Sequence, residues 1–268
     1  MTAVSASHEQ RFIAVKFKLR DTMNPINPRL APSNRAAAAV ALPVPTVPAD
    51  AIGSAPVVSG AGDTASVLRN TYGLLALTLF FSATVAGGVA ALGLPAPGIV
   101  ISLVGMIGLL YLTHKLSNSG WGLLSVFAFT GFMGYTLGPA IARTLAIEGG
   151  AHVVTLALGS TAVNFLALSG WVLATRRDFS FMGGFLFAGM VVALLAGLGA
   201  AFFQIPGLAL VVSALVVLLS AGLILFETGR IVSGGETNYV LATVGLYVSI
   251  FNLFSGLLSL FGIGGGDE

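Results

Sequence analysis

The sequence predicts an all-α, polytopic membrane protein: a seven-transmembrane-helix bundle over residues 67–268, preceded by a disordered Pro/Ala-rich tail over residues 1–66. Three observations carry that prediction. Of 268 residues, 56% are hydrophobic and 8% charged, against about 25% charged in a soluble globular domain. So few ions cannot cover a surface in water, and the solvent for most of this chain is lipid. Beyond Arg69, seven apolar stretches each come close to the ~20 residues needed to cross ~30 Å of hydrocarbon at ~1.5 Å per residue. Proline, glycine and charge separate the stretches. In lipid each spanning segment must satisfy its own backbone polar groups, and the helix does so within one segment.

The tail holds seven of the eleven prolines, and Pro25 to Pro56 is rich in Pro, Ala, Val and Ser without a helical or strand period. Such a segment is extended and disordered. The short apolar run Ala36–Leu42 is broken by Pro43 and makes a poor signal peptide. The first span, Asn70–Leu92, follows Arg69 and stops before Pro95 and Pro97. The second, Pro97–Thr113, ends at His114 and Lys115, ahead of the polar break Ser117 to Gly120. The third, Trp121–Ala142, carries Gly131, Gly134 and Gly138 at spacings of three and four. Small residues so spaced let helix backbones approach closely; a hinge or pore-lining face is the alternative. The fourth, Ala151–Ala174, lies between Gly149-Gly150 and the run Arg176 to Asp178. The fifth, Phe181–Phe203, is punctuated by Gly184, Gly189, Gly197 and Gly199. The sixth, Pro206–Val232, is the longest, which allows tilt or extension past the hydrocarbon. The seventh, Thr237–Phe261, begins after Gly234-Gly235. Trp121, Trp171, Tyr72 and Tyr239 sit near span ends, as interfacial aromatics do.

Basic residues set the orientation. With the N-terminus in the cytoplasm, eleven of the twelve Lys and Arg fall on the cytoplasmic side and only Arg143 lies outside. Seven spans then place the C-terminus, with Asp267 and Glu268, outside. A six-span reading would return the C-terminus to the cytoplasm and leave the N-terminus unchanged.

Several function classes are excluded. Net charge is +2, with no basic stripe interleaved with aromatics, so no nucleic acid is bound. The absence of cysteine removes disulfides, thiolate chemistry and iron–sulfur ligation. No H-E-x-x-H helix or G-x-S-x-G elbow is present, and His8, His114 and His152 lie in different regions on both sides of the membrane. No catalytic residue, metal site or cofactor is expected. The string Gly60-Ala61-Gly62-Asp63 has the form of the GxGD motif of intramembrane aspartyl proteases, but it precedes the first span and lacks a second intramembrane Asp, so it reads as linker.

Glu227, in ILFETGRI, is the one carboxylate embedded in what reads as continuous helix. A charge near mid-span costs ~2.5–3.5 kcal/mol on insertion scales, which makes an intramembrane acid a candidate site by default. The alternative is a boundary residue reaching water, and Arg230 three residues on favours it as much. His114 and Lys115 end the second span on the same side and offer Glu227 a cation, or simply obey the positive-inside rule. Asn164, Ser249 and Asn252 are polar residues within spans. Interhelical hydrogen bonds worth ~0.6–2 kcal/mol account for them; lining an ion path is the other reading.

The strings VLRNTYGLLALTLFFSA, PAPGIVISLVGMIGLLYLT, FAFTGFMGYTLGPAI, TRRDFSFMGG, ILFETGRIVSGGETNYVLATVGLYVSIFNLF and LLSLFG occur in this order between Val67 and Gly262. As a set they resemble the Bax-inhibitor-1 family, in its bacterial YccA-like branch. The resemblance implies six helices around a central one, the last, and a non-enzymatic inner-membrane protein with a cytoplasmic N-terminus. It implies one of two roles: modulator and substrate of the membrane AAA protease FtsH, or a pH-sensitive leak for calcium or protons. The tail would suit the first as a handle for a processive ATPase. The leak uses acids on the sixth and seventh helices that share a proton, because two carboxylates a few ångströms apart do not both ionise easily. A basic group on the second helix assists. By resemblance Glu227 takes the sixth-helix position, Ser249 stands where many relatives carry the second acid, and His114 or Lys115 is the basic partner. Asn252 lies close by on the seventh helix. A hydroxyl at Ser249 cannot share a proton as a carboxylate does, and it denies calcium a charged ligand.

Overall fold

The computed structural model describes residues 61–264. Residues 1–60 of the expected tail, and residues 265–268, lie outside the described residues. Among the described residues are seven α-helices and no strand. They are α1 (Ala61–Leu92), α2 (Ile99–Leu116), α3 (Gly122–Leu145), α4 (Gly150–Thr175), α5 (Gly183–Phe203), α6 (Pro206–Val232) and α7 (Tyr239–Gly264), with a short 3-10 turn, Ser180–Met182, ahead of α5. All seven helices are long and apolar enough to cross a membrane. The protein is a polytopic, all-α membrane bundle, as the sequence predicts.

The ends are local chemistry. Pro206 opens α6 at its first turn, where a missing N–H costs nothing. Gly149 and Gly234 take φ of +71° and +75° to reverse the chain between helices. Arg176 and Gln204 adopt the same left-handed geometry without that freedom, and their N–H groups close α4 and α5 onto Val172 O and Ala200 O. Only α1 departs much from the sequence expectation: it begins nine residues before Asn70, so Arg69 sits inside a helix of 32 residues. No proline lies between Pro56 and Leu92, and a charge near the interface does not end a helix.

The last helix is central. Within its apolar window 56% of α7 is buried, against 6% of α2. It packs against α1, α3, α4 and α6, while α2 rests mainly on α3 and α5 on α6. The expected ring of six is therefore four helices around α7 and two in an outer layer. The outer helices are apolar on every face and leave Ile101, Val104, Phe185 and Phe187 to the lipid. The middle of the core is aromatic: Phe129 meets Tyr247 edge-on at 6.0 Å, and Tyr247 stacks on Phe251 at 6.2 Å. The Tyr247 hydroxyl donates to Thr130 O (3.2 Å) and pairs with Ser82 Oγ (2.6 Å), which ties α1, α3 and α7 together. The α1–α3 seam runs over the glycines of α3. A Cβ at Gly134 would overlap Ser82 O, one at Gly138 would overlap Val89, and one at Gly131 would lie 2.8 Å from the Phe81 ring. In α5 the pattern is mixed: Gly189 receives Leu219 of α6, whereas Gly184 and Gly199 face open space.

Candidate functional site

Glu227 sits five residues before the end of α6, with 15% of its side chain exposed. Its carboxyl lies against the bare backbone of α7 at Gly245. A Cβ there would be 2.8 Å from the Glu227 Cδ and 2.9 and 3.0 Å from its two oxygens. Gly245 therefore forms the seat on which the acid rests on the central helix.

One cation serves two acids beside that seat. Arg230 Nη1 lies 3.5 Å from Glu227 Oε2, and Nη2 donates to Glu236 Oε2 at 2.9 Å. The guanidinium also covers the Phe226 ring, 5.6 Å from its centroid. A planar fork holds its N–H donors at fixed angles and so sets the geometry of both carboxylates, where an ammonium acts as a point charge. With all three groups ionised the cluster carries net charge −1. From Glu236 the polar chain continues: its Oε1 accepts the Asn238 N–H at 3.0 Å, and Asn238 Oδ1 caps α7 by accepting Val240 N–H at 2.9 Å. Asn238 Nδ2 donates to Asn118 Oδ1 at 2.9 Å. The acid on α6 is thus connected through hydrogen bonds and ion pairs to the first turn of α7 and to the α2–α3 turn.

The structure brings together some of the expected residues and not others. Ser249 is buried on α7, one turn beyond Gly245, but its hydroxyl donates to Gly245 O at 2.9 Å and its proton is used within its own helix. His114 and Lys115 are exposed at the end of α2 and form no ion pair among the described residues. Because α2 rests on α3 in the outer layer, the cation beside Glu227 comes from its own helix instead. Asn252 is half-buried further along α7, and Asn164 bonds back to Ser160 O within α4. Glu236 and Gly245 were not legible as site residues. Glu236 lies in the glycine-rich α6–α7 turn, and its tie to Arg230 spans six residues around a reversal. A glycine seat on another helix has no local signal. Among the described residues no three His, Asp or Glu side chains gather as a metal site. Outside the spans, Asp178 accepts the Ser180 hydroxyl (2.5 Å) and N–H (2.8 Å), and these bonds hold its carboxyl below the ordinary range.

Residues 64–266 match the family described as inhibitor of apoptosis-promoting Bax1. A Pseudomonas aeruginosa protein is 53% identical over 206 residues, 77% of this chain and 93% of the relative. The Escherichia coli K12 protein named modulator of FtsH protease YccA is 52% identical over 204 residues, 76% of this chain and 93% of that protein. An Escherichia coli O6:H1 protein named inner membrane protein YccA matches to the same extent. The family match covers the whole bundle, including the helix that carries Glu227 and the one that seats it, and the chain belongs to the Bax-inhibitor-1 family.

Proposed function

We propose that this protein is a non-enzymatic modulator of the membrane AAA protease FtsH in the bacterial inner membrane, and also its substrate. The observation that carries the modulator reading is 52% identity across 93% of the Escherichia coli protein named modulator of FtsH protease. The match covers 93% of that protein, so nearly all of its length has an aligned counterpart here. The Lys and Arg distribution supports a cytoplasmic N-terminus and a periplasmic C-terminus, an orientation in which residues 1–60 would lie on the side where a membrane-anchored ATPase engages its substrates. The test is deletion of residues 1–60 from the chain in cells. Its half-life in the presence of FtsH lengthens severalfold while the bundle remains membrane-inserted. Turnover equal to that of the full chain would overturn the handle; a bundle that neither co-purifies with FtsH nor alters its degradation of other substrates would overturn the modulator.

A second reading is favoured by the acid seated on the central helix: a pH-sensitive leak for calcium or protons gated at Glu227. Arg230 and Glu236 would take over from the second-helix cation and seventh-helix acid of the resemblance. This reading requires flux through vesicles containing the purified protein to depend on pH, and the Glu227→Gln variant to lose that dependence. Flat flux in both forms would remove it.

A further inference from the structure

Away from the Glu227 cluster, at the end of the bundle that carries Arg143, two cavities adjoin. One, of about 440 Å³, lies between α3 and α7 and is lined by Arg143, Thr136, Thr144, Ser255 and Ser259. The other, of about 490 Å³, is an apolar crevice between α1 and α4 floored by α7. Leu137 and Phe251 line both. We propose that together they bind one phospholipid of the bilayer, its phosphate on Arg143 and an acyl chain in the crevice.

Arg143 is exposed at the mouth of the polar cavity. Its guanidinium has five N–H donors, and among the described residues the bond it makes is Nε to Pro139 O at 3.3 Å. Glu148, five residues on, forms no ion pair with it. Ser255 Oγ is buried with no hydrogen-bond partner. A group with negative charge and several acceptor oxygens satisfies this set, as phosphate does.

The crevice has the dimensions and exposure of an acyl-chain site. From Leu79 to Gly87 it follows α1 over nine residues, about 12 Å at helical rise. One leaflet's share of the hydrocarbon is ~15 Å. Its rim includes Leu158 and Leu166, which are 54% and 68% exposed, so it opens sideways to lipid. Phe165, which lines the crevice on α4, packs against Tyr72 of α1 with ring centroids 6.0 Å apart. Free phosphate would leave the apolar part empty and its walls without contacts.

Native mass spectrometry of the full chain in detergent tests the assignment, with phosphatidylglycerol, phosphatidylethanolamine, diacylglycerol and inorganic phosphate as probes. The wild type retains one phospholipid. Arg143→Gln and Gly87→Leu each lower retention about tenfold, the scale of one charge-assisted contact or one blocked chain. At Gly87 an added Cβ meets nothing within 4 Å, so leucine enters the crevice rather than the fold. Diacylglycerol, which has no phosphate, is retained about tenfold less than either phospholipid. Unfolding curves matching the wild type certify that both variants are folded. Retention unchanged in either folded variant overturns the proposal, as does equal retention of diacylglycerol. Displacement of the phospholipid by millimolar inorganic phosphate would also overturn it, in favour of a soluble-phosphate site.

Discussion

Replacing Gly245 with alanine tests the seat of Glu227 in free-energy terms. The new Cβ would lie 2.8 Å from the Glu227 Cδ and about as close to both oxygens. Forcing a methyl into a filled site costs about 1–3 kcal/mol. Against this, alanine in place of helical glycine returns about 1 kcal/mol. In the wild-type background Gly245→Ala should therefore destabilise by about 0–2 kcal/mol. If the obstacle is the Glu227 carboxyl, the same change in a Glu227→Ala background should stabilise by up to about 1 kcal/mol. The double-mutant cycle then shows a coupling of about 1–3 kcal/mol. Denaturant unfolding in micelles, followed by the fluorescence of Trp121 and Trp171, measures all four forms. A coupling within about 0.3 kcal/mol of zero, the ordinary limit of additivity, would refute the contact between the acid and the central helix.

Other perturbations give separate outcomes. Arg230→Gln removes the cation shared by Glu227 and Glu236 and should cost about 1–2 kcal/mol, more than Glu236→Gln, because it leaves two partly buried acids without a counter-charge; the same unfolding assay ranks them. Gly134→Val drives a side chain into Ser82 O, a backbone atom that cannot swing aside, and should cost at least about 3 kcal/mol or abolish folding. Gly199→Ala, facing open space, should leave stability unchanged or slightly raised on the same curves. Because the Asp178 carboxyl is held below its ordinary range, its bonds to Ser180 are intact above the unfolded value and lost as pH falls through the lowered folded one. Protection of the Ser180 amide against hydrogen exchange, taken relative to the intrinsic rate at each pH, should therefore persist through the usual carboxylate range and fall only below it.

What could be read from the sequence follows from what each feature depends on. Spans depend on length and composition, and all seven were visible because lipid demands ~20 apolar residues whatever the packing. Which helix is central depends on packing alone: no face of an apolar span marks itself, so the place of α7 rested on resemblance, and the outer-layer position of α2 and α5 on nothing in the chain. Gly131, Gly134 and Gly138 were legible as a close-approach face because their spacing repeats; Gly245 was not, because it stands alone. Glu227 announced itself as the lone acid in a continuous helix, and Arg230 came with it at three residues' distance. Glu236 was hidden in a turn, where an acid is ordinary. The second-helix cation was carried over from the family's pattern; among the described residues His114 and Lys115 form no ion pair, and α2 packs mainly on α3.

The most direct measurement uses the absence of native cysteine, which makes any introduced pair the only thiols in the chain. Glu227→Cys with Gly245→Cys, treated in native membranes with a short bifunctional thiol reagent, should crosslink readily. Glu227→Cys with Lys115→Cys should not. The reverse pattern, with position 227 joined to 115 and not to 245, would contradict the placement of the acid against the central helix.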